Sequence, residues 1–112
     1  MSNSVVTLSD ADFATEVLDA SNPVLVYFWA NWCGPCRLMT PAIDAIARQY
    51  GERLKVVKME VDPNPDAVSR CQVEGVPALR LFQKGELLGA TEGAMNQQKL
   101  EAFLSSYLSP VS

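Results

Sequence analysis

A chain of 112 residues, 48% hydrophobic and 20% charged, has the size and balance of a single globular domain, and residues 1–112 are read as one. Nine Lys and Arg against 13 Asp and Glu leave a formal charge of −4, which excludes nucleic acid as the main ligand because phosphate binding needs clustered cations. The longest apolar run is far too short to span a bilayer, and Met1 to Asp12 carries no basic segment followed by an apolar stretch, so no membrane contact and no signal peptide are expected, and the location expected is the reducing cytoplasm.

Val5-Val6-Thr7 predicts a short first strand, after which Ser9 with Asp12 three residues on predicts a helix N-terminus of capping-box type. Phe13, Val17 and Leu18 share one face of that helix, which Pro23 should end near Ser21-Asn22. Asp10, Asp12 and Glu16 are read as its cap and solvated face. Val24 to Ala30 is apolar on both faces and rich in β-branched and aromatic residues, as a central strand covered on both sides requires. From Pro35 to Tyr50, Leu38, Met39, Ala42, Ile43, Ile46 and Tyr50 recur at helical spacing. Pro41 should kink this helix and Gly51 stop it in a left-handed conformation. Leu54 to Val61 predicts a strand, Asp62 to Pro65 a turn, and Asp66 to Cys71 a short helix. Ala78 to Gln83 and Leu87 to Ala90 predict a hairpin turning at Lys84-Gly85-Glu86, and Asn96 to Leu108 a last helix with Leu100, Phe103, Leu104 and Tyr107 on one face. The order predicts an α/β fold, its mixed sheet parallel early and antiparallel late, with helices on both faces.

Trp32-Cys33-Gly34-Pro35-Cys36 stands where the central strand hands over to the second helix. Two cysteines three apart can close a tight disulfide or open to a dithiol, and in a reducing compartment such a pair is catalytic or metal-binding rather than a staple. Zinc is disfavoured because there is no histidine and only Cys71 remains as a further thiol, although two copies sharing ligands keep that alternative open. A cysteine protease is excluded for want of a histidine base. A helix N-terminus aims free N–H groups at the sulfur and lowers a thiol pKa from its free value of about 8.5. Gly34 permits the turn, and Pro35 suits the first helical turn with its missing donor. On this reading Cys33 is the attacking thiolate, and Cys36, one turn further in and more shielded, resolves the mixed disulfide.

These residues, with Phe28-Trp29-Ala30 before them and Asp62 to Pro65, Gly75-Val76-Pro77 and Gly93-Ala94 after them, resemble the thioredoxin family over nearly the whole chain. The resemblance implies the thioredoxin fold and a dithiol–disulfide oxidoreductase that reduces target proteins through Cys33 and Cys36, with no cofactor beyond that redox-active pair and no metal. It also implies a cis bond before Pro77, and a shallow docking surface for extended substrate segments formed by Trp32, Gly34, Pro35, Val76, Pro77, Gly93 and Ala94. The partners implied are disulfide-bearing proteins and a reductase, either an NADPH-dependent flavoenzyme or a ferredoxin-dependent one, and the protein is expected to act as a monomer. The alternative from another class is a binding module or assembly subunit that uses the same surface without redox turnover.

One residue departs from the family pattern. Tyr27 stands where the family usually carries a buried aspartate, credited with taking the proton of the resolving thiol, while the matching lysine is present as Lys58. With a reference pKa near 10, tyrosine is no effective base at neutral pH. The expectation is that water held by Tyr27 and Lys58 takes the Cys36 proton, against the plainer reading of a packing substitution. This tyrosine, with Leu54 to Pro65 and Val73 to Phe82, resembles an atypical cyanobacterial group of thioredoxins. Cys71 matches no catalytic cysteine of the family and is read as a small, partly buried side chain, with a regulatory thiol as the alternative.

Overall fold

The computed structural model describes residues 5–108, so the first four residues of the Met1 to Asp12 stretch lie outside it. Its strands are β1 (Val6–Thr7), β2 (Val24–Trp29), β3 (Lys55–Glu60), β4 (Ala78–Gln83) and β5 (Glu86–Glu92), and its α-helices α1 (Gly34–Tyr50), α2 (Pro65–Arg70) and α3 (Gln97–Ser105). The strands form one sheet in the order β1-β3-β2-β4-β5. The β1–β3 and β2–β3 pairs run parallel, β2–β4 and β4–β5 antiparallel, so the expected mixed sheet is present.

Strand β2 is central because its side chains are apolar on both faces. Leu25 and Tyr27 join Val56, Leu79 and Leu81 in a core closed by Met39, Ile43, Ile46 and Tyr50 of α1 and by Leu100 and Leu104 of α3. Val24, Val26 and Phe28 meet Val57, Met59 and Phe82 on the other face, under Leu8, Phe13 and Val17 and under Ala67 and Cys71 at α2. Each fully buried Val, Leu or Phe contributes roughly 1.5–3 kcal/mol relative to exposure, so the two-sided cover fixes which strand lies at the centre.

The segment between Ser9 and Pro23 departs from the expected single helix. A 3-10 turn at Asp10–Asp12 is followed by a π-helical turn at Ala14–Leu18, closed by the Asp19 N–H on the Ala14 carbonyl. The cap does form, as the Ser9 N–H and hydroxyl both donate to the Asp12 carboxylate. Tertiary bonds override the α-helical preference beyond it. The Asp10 N–H donates to Asn64 Oδ1 at 2.8 Å, and the Asp10 carboxylate accepts from the Asp66 and Ala67 N–H groups at 3.0 and 2.8 Å. Asp10 therefore caps α2, and Glu16 pairs with Lys55, so neither is a merely solvated helix residue.

Helix α1 runs through Pro41 as continuous α-helix. Gly51 ends it at φ 59° but with ψ −133°, so a glycine-only φ is used without the left-handed helical cap, and a 3-10 turn over Gly51–Arg53 follows. Strand β5 is longer than expected at both ends, which carries the chain to Gly93. Helix α3 stops at Ser105, and Tyr107 is 45% exposed rather than part of the buried face. Its ring lies over Gly89 of β5, where an added Cβ would come within 2.5 Å of it.

Candidate active site

Helix α1 begins at the cysteine pair because Cys33 takes an extended N-cap conformation, φ −102° and ψ 104°, and Pro35 fills the first turn. The Cys33 N–H is held by the Ala30 carbonyl at 3.2 Å. Cys33 and Cys36 form a disulfide with their Cα atoms 5.4 Å apart. The Cys36 N–H donates to Cys33 Sγ at 3.2 Å, which is the contact that would favour a thiolate on Cys33 after reduction. Both cysteines are buried, Cys33 at 5% and Cys36 at 2% exposure, so the expected contrast between an open and a shielded thiol is small in this oxidised form. The exposed parts of the motif are Trp32, Gly34 and Pro35. Trp32 is 65% exposed yet anchored, since its Nε1–H donates to Asp62 Oδ2 at 2.9 Å.

Two distant segments reach this motif. Val76 packs against the cluster of Ala30, Cys33 and Cys36, and its bond to Pro77 is cis, as expected. The Gly93 N–H donates to the Pro77 carbonyl at 2.8 Å, which joins the end of β5 to the same edge. Gly93 has φ 107°, which favours glycine, and no atom within 4 Å of where a Cβ would stand. Ala94 beside it is exposed. Trp32, Gly34 and Pro35 are thus exposed beside the buried sulfurs, and a Cβ built on Gly34 would likewise meet no atom within 4 Å.

Behind the pair, the Tyr27 hydroxyl donates to the Cys36 carbonyl at 2.7 Å, and Thr40 Oγ1 donates to the same oxygen at 3.5 Å. Burial pushes the Tyr27 pKa up to about 12, so this hydroxyl stays protonated at neutral pH. Lys58 pairs in register with Tyr27 across β2 and β3, its ammonium 5.9 Å from the centre of the Trp29 ring. A pocket of about 120 Å³ opens there, lined by Tyr27, Trp29, Cys36, Thr40, Asp44 and Lys58 among others. The Trp29 indole N–H is buried and has no hydrogen-bond partner among the described residues. Half-buried Trp29 belongs to both the main core and the cysteine cluster.

Asp62, Asp44 and Arg80 had no side-chain role assigned from the sequence. Asp62 anchors Trp32, and Asp44 brings a carboxylate to the pocket that borders Cys36. Arg80 stands buried at 4% exposure in the middle of β4, and the one available signal was a charge inside the apolar run Ala78 to Phe82. Cys71 is free and buried, with its pKa pushed up to about 11 by burial against the opposing charges of Arg80 and Arg70. No group of three or more His, Cys, Asp or Glu that could hold a metal occurs among the described residues.

Residues 4–106 match the thioredoxin family model. The chain is 58% identical over 105 residues to a thioredoxin-like protein of the cyanobacterium Synechocystis sp., an alignment covering 94% of this chain and 96% of that one. It is 44% identical over 108 residues to a thioredoxin of Acidithiobacillus ferridurans, covering 96% and 100% of the two chains. A second Synechocystis protein, named thioredoxin, is 43% identical over 101 residues, covering 90% and 94%.

Proposed function

The chain belongs to the thioredoxin family, and on that premise we propose how its residues divide the work of a protein dithiol–disulfide oxidoreductase. In the reduced protein, Cys33 Sγ attacks one sulfur of a target disulfide as the thiolate, forming the mixed disulfide and releasing the target's other sulfur as a thiolate. Cys36 Sγ, after losing its proton, attacks Cys33 Sγ. The mixed disulfide breaks, the second target sulfur leaves, and two electrons have passed from the Cys33–Cys36 dithiol to the target. The observation that carries this assignment is the Cys36 N–H directed at Cys33 Sγ from the first turn of a 17-residue helix, since both the hydrogen bond and the helix dipole favour negative charge on that sulfur.

Trp32, Gly34, Pro35, Val76, Pro77, Gly93 and Ala94 receive the extended target segment, with the backbone of Val76 pairing to it. Tyr27 and Lys58 handle the proton of Cys36 through water in the pocket they share, because the Tyr27 hydroxyl itself is committed as a donor to the Cys36 carbonyl. The redox pair is its own electron carrier, so no other cofactor enters the cycle. Thioredoxins act on disulfide targets with a reductase, and for this chain the donor is an NADPH-dependent flavoenzyme or a ferredoxin-dependent enzyme. The described residues include no helix long and apolar enough to cross a membrane, and we place the protein in the reducing cytoplasm as a monomeric single domain without nucleic-acid ligands.

The decisive experiment is insulin reduction with dithiothreitol, comparing the parent with Cys33→Ser. The variant is expected to lose essentially all activity, and undiminished activity would mean that the surface binds partners without redox turnover. Cys36→Ser should stall at the mixed disulfide and retain target proteins that dithiothreitol releases.

A further inference from the structure

Strand β4 lies between β2 and β5, and a bare guanidinium at its centre would cost several kcal/mol. Arg80 is there with every nitrogen occupied. Nε donates to the Cys71 carbonyl at 2.8 Å, Nη1 to the carbonyls of Leu79 at 2.9 Å and Thr91 at 3.4 Å, and Nη2 to the Gln72 carbonyl and to Glu92 Oε2, both at 2.9 Å. Two of these acceptors begin the connection from α2 to β4, and two belong to the end of β5. Glu92 closes the circle, because its Oε2 also accepts from the Glu74 N–H at 3.0 Å. The next residues along that connection are Gly75, Val76 and Pro77, and Val76 is the one packed on the cysteine cluster. Just past Glu92, the Gly93 N–H holds the Pro77 carbonyl.

We propose that Arg80 and Glu92 are positioning residues for the oxidoreductase reaction: their ion pair fixes the Val76-Pro77 edge and Gly93 at one height relative to Cys33 and so sets the affinity for extended protein substrates. Neither side chain touches the sulfurs. They act on the backbone of residues 71–75, which leads directly to that edge. A planar, five-donor guanidinium suits this task because it holds four carbonyls and a carboxylate at once, more acceptors than the three donors of an ammonium can serve. The carboxylate is held ionised by the Glu74 N–H and by Arg80, which keep its pKa below the ordinary carboxylate value. The inference rests on the reading of Val76, Pro77 and Gly93 as the docking edge.

The test separates docking from chemistry. Steady-state reduction of insulin measures KM and kcat for a substrate that must dock, and the rate with 5,5′-dithiobis(2-nitrobenzoic acid) measures thiolate attack on a disulfide too small to use the edge. Glu92→Ala is expected to raise KM for insulin about fivefold while kcat and the rate with the small disulfide stay within about twofold of the parent. Glu92→Gln, whose amide oxygen still accepts from Arg80 and Glu74, is expected to return KM to within about twofold of the parent. Arg80→Met should raise KM further and lower the melting temperature; if it does not fold, the Glu92 pair of variants decides alone. An unchanged KM in Glu92→Ala, or an equal fall with both substrates, overturns the proposal. Trp32→Ala, which alters the proposed docking surface without touching Arg80 or Glu92, distinguishes the two levels. A raised KM in it with none in Glu92→Ala removes the positioning role only, and no change in either removes the docking surface itself.

Discussion

The Tyr27 hydroxyl bonds to the Cys36 carbonyl and, with its pKa near 12, remains a donor through the physiological range. It steadies the first turn of α1 and takes no proton from the resolving thiol. Tyr27→Asp would place an acceptor behind Cys36, and decay of the mixed disulfide in stopped flow is expected to quicken about tenfold or more near pH 7. An unchanged rate and pH profile would make Tyr27 a packing substitution. The same hydroxyl and the Cys71 thiol also set the alkaline limit of stability. Their folded pKa values, about 12 and about 11, lie above the ordinary 10.0 and 9.0, so each contributes stability that is complete below the ordinary value and lost as pH rises through the folded one. In the oxidised protein, denaturant midpoints are therefore expected to fall between about pH 9 and 12, and Cys71→Ala should postpone the onset by about one pH unit.

Among the elements, the first turn and α2 are stabilised by each other rather than by their own sequences. Ser9 and Asp12 were readable as a cap because they lie three residues apart, whereas the bond from Asp66 N–H to the Asp10 carboxylate spans 56 residues and has no local signal. Asp10→Ala leaves two α2 amides without an acceptor, and a loss of about 1–2 kcal/mol is expected, seen as a melting temperature lower by about 4–8 °C for each kcal/mol. Unchanged melting would mean that water replaces the carboxylate without cost. The hairpin of β4 and β5 was legible from two strand-like stretches joined at the Lys84-Gly85-Glu86 turn, but its extension to Glu92 was not. That extension follows from pairing across the sheet, Ala78 with Glu92, and it is what brings Gly93 to Pro77.

Across the whole molecule, the radius of gyration of the Cα atoms is 12.7 Å, close to the value of about 13 Å expected for a compact chain of this length. Both tryptophans, Trp29 and Trp32, sit beside the cysteines, so fluorescence reports on the site while far-ultraviolet circular dichroism reports on the sheet and helices. As one cooperative unit the oxidised protein should give coincident denaturant transitions by the two probes, and an earlier fluorescence transition would mean that the site melts apart from the core. By itself the sequence determined what local period and composition control: the doubly apolar β2, the amphipathic α1, the cysteine pair at their junction, and the lack of any histidine that would turn the pair to metal or protease chemistry. Only the tertiary structure decided what meets that pair. Val76, Pro77 and Gly93 arrive because β4 and β5 pair beside β2, and Arg80 is tolerated in the core because five acceptors between Cys71 and Glu92, four carbonyls and the Glu92 carboxylate, converge on it. Burial of apolar faces leaves a periodic trace along the chain, whereas hydrogen bonds between residues far apart leave none.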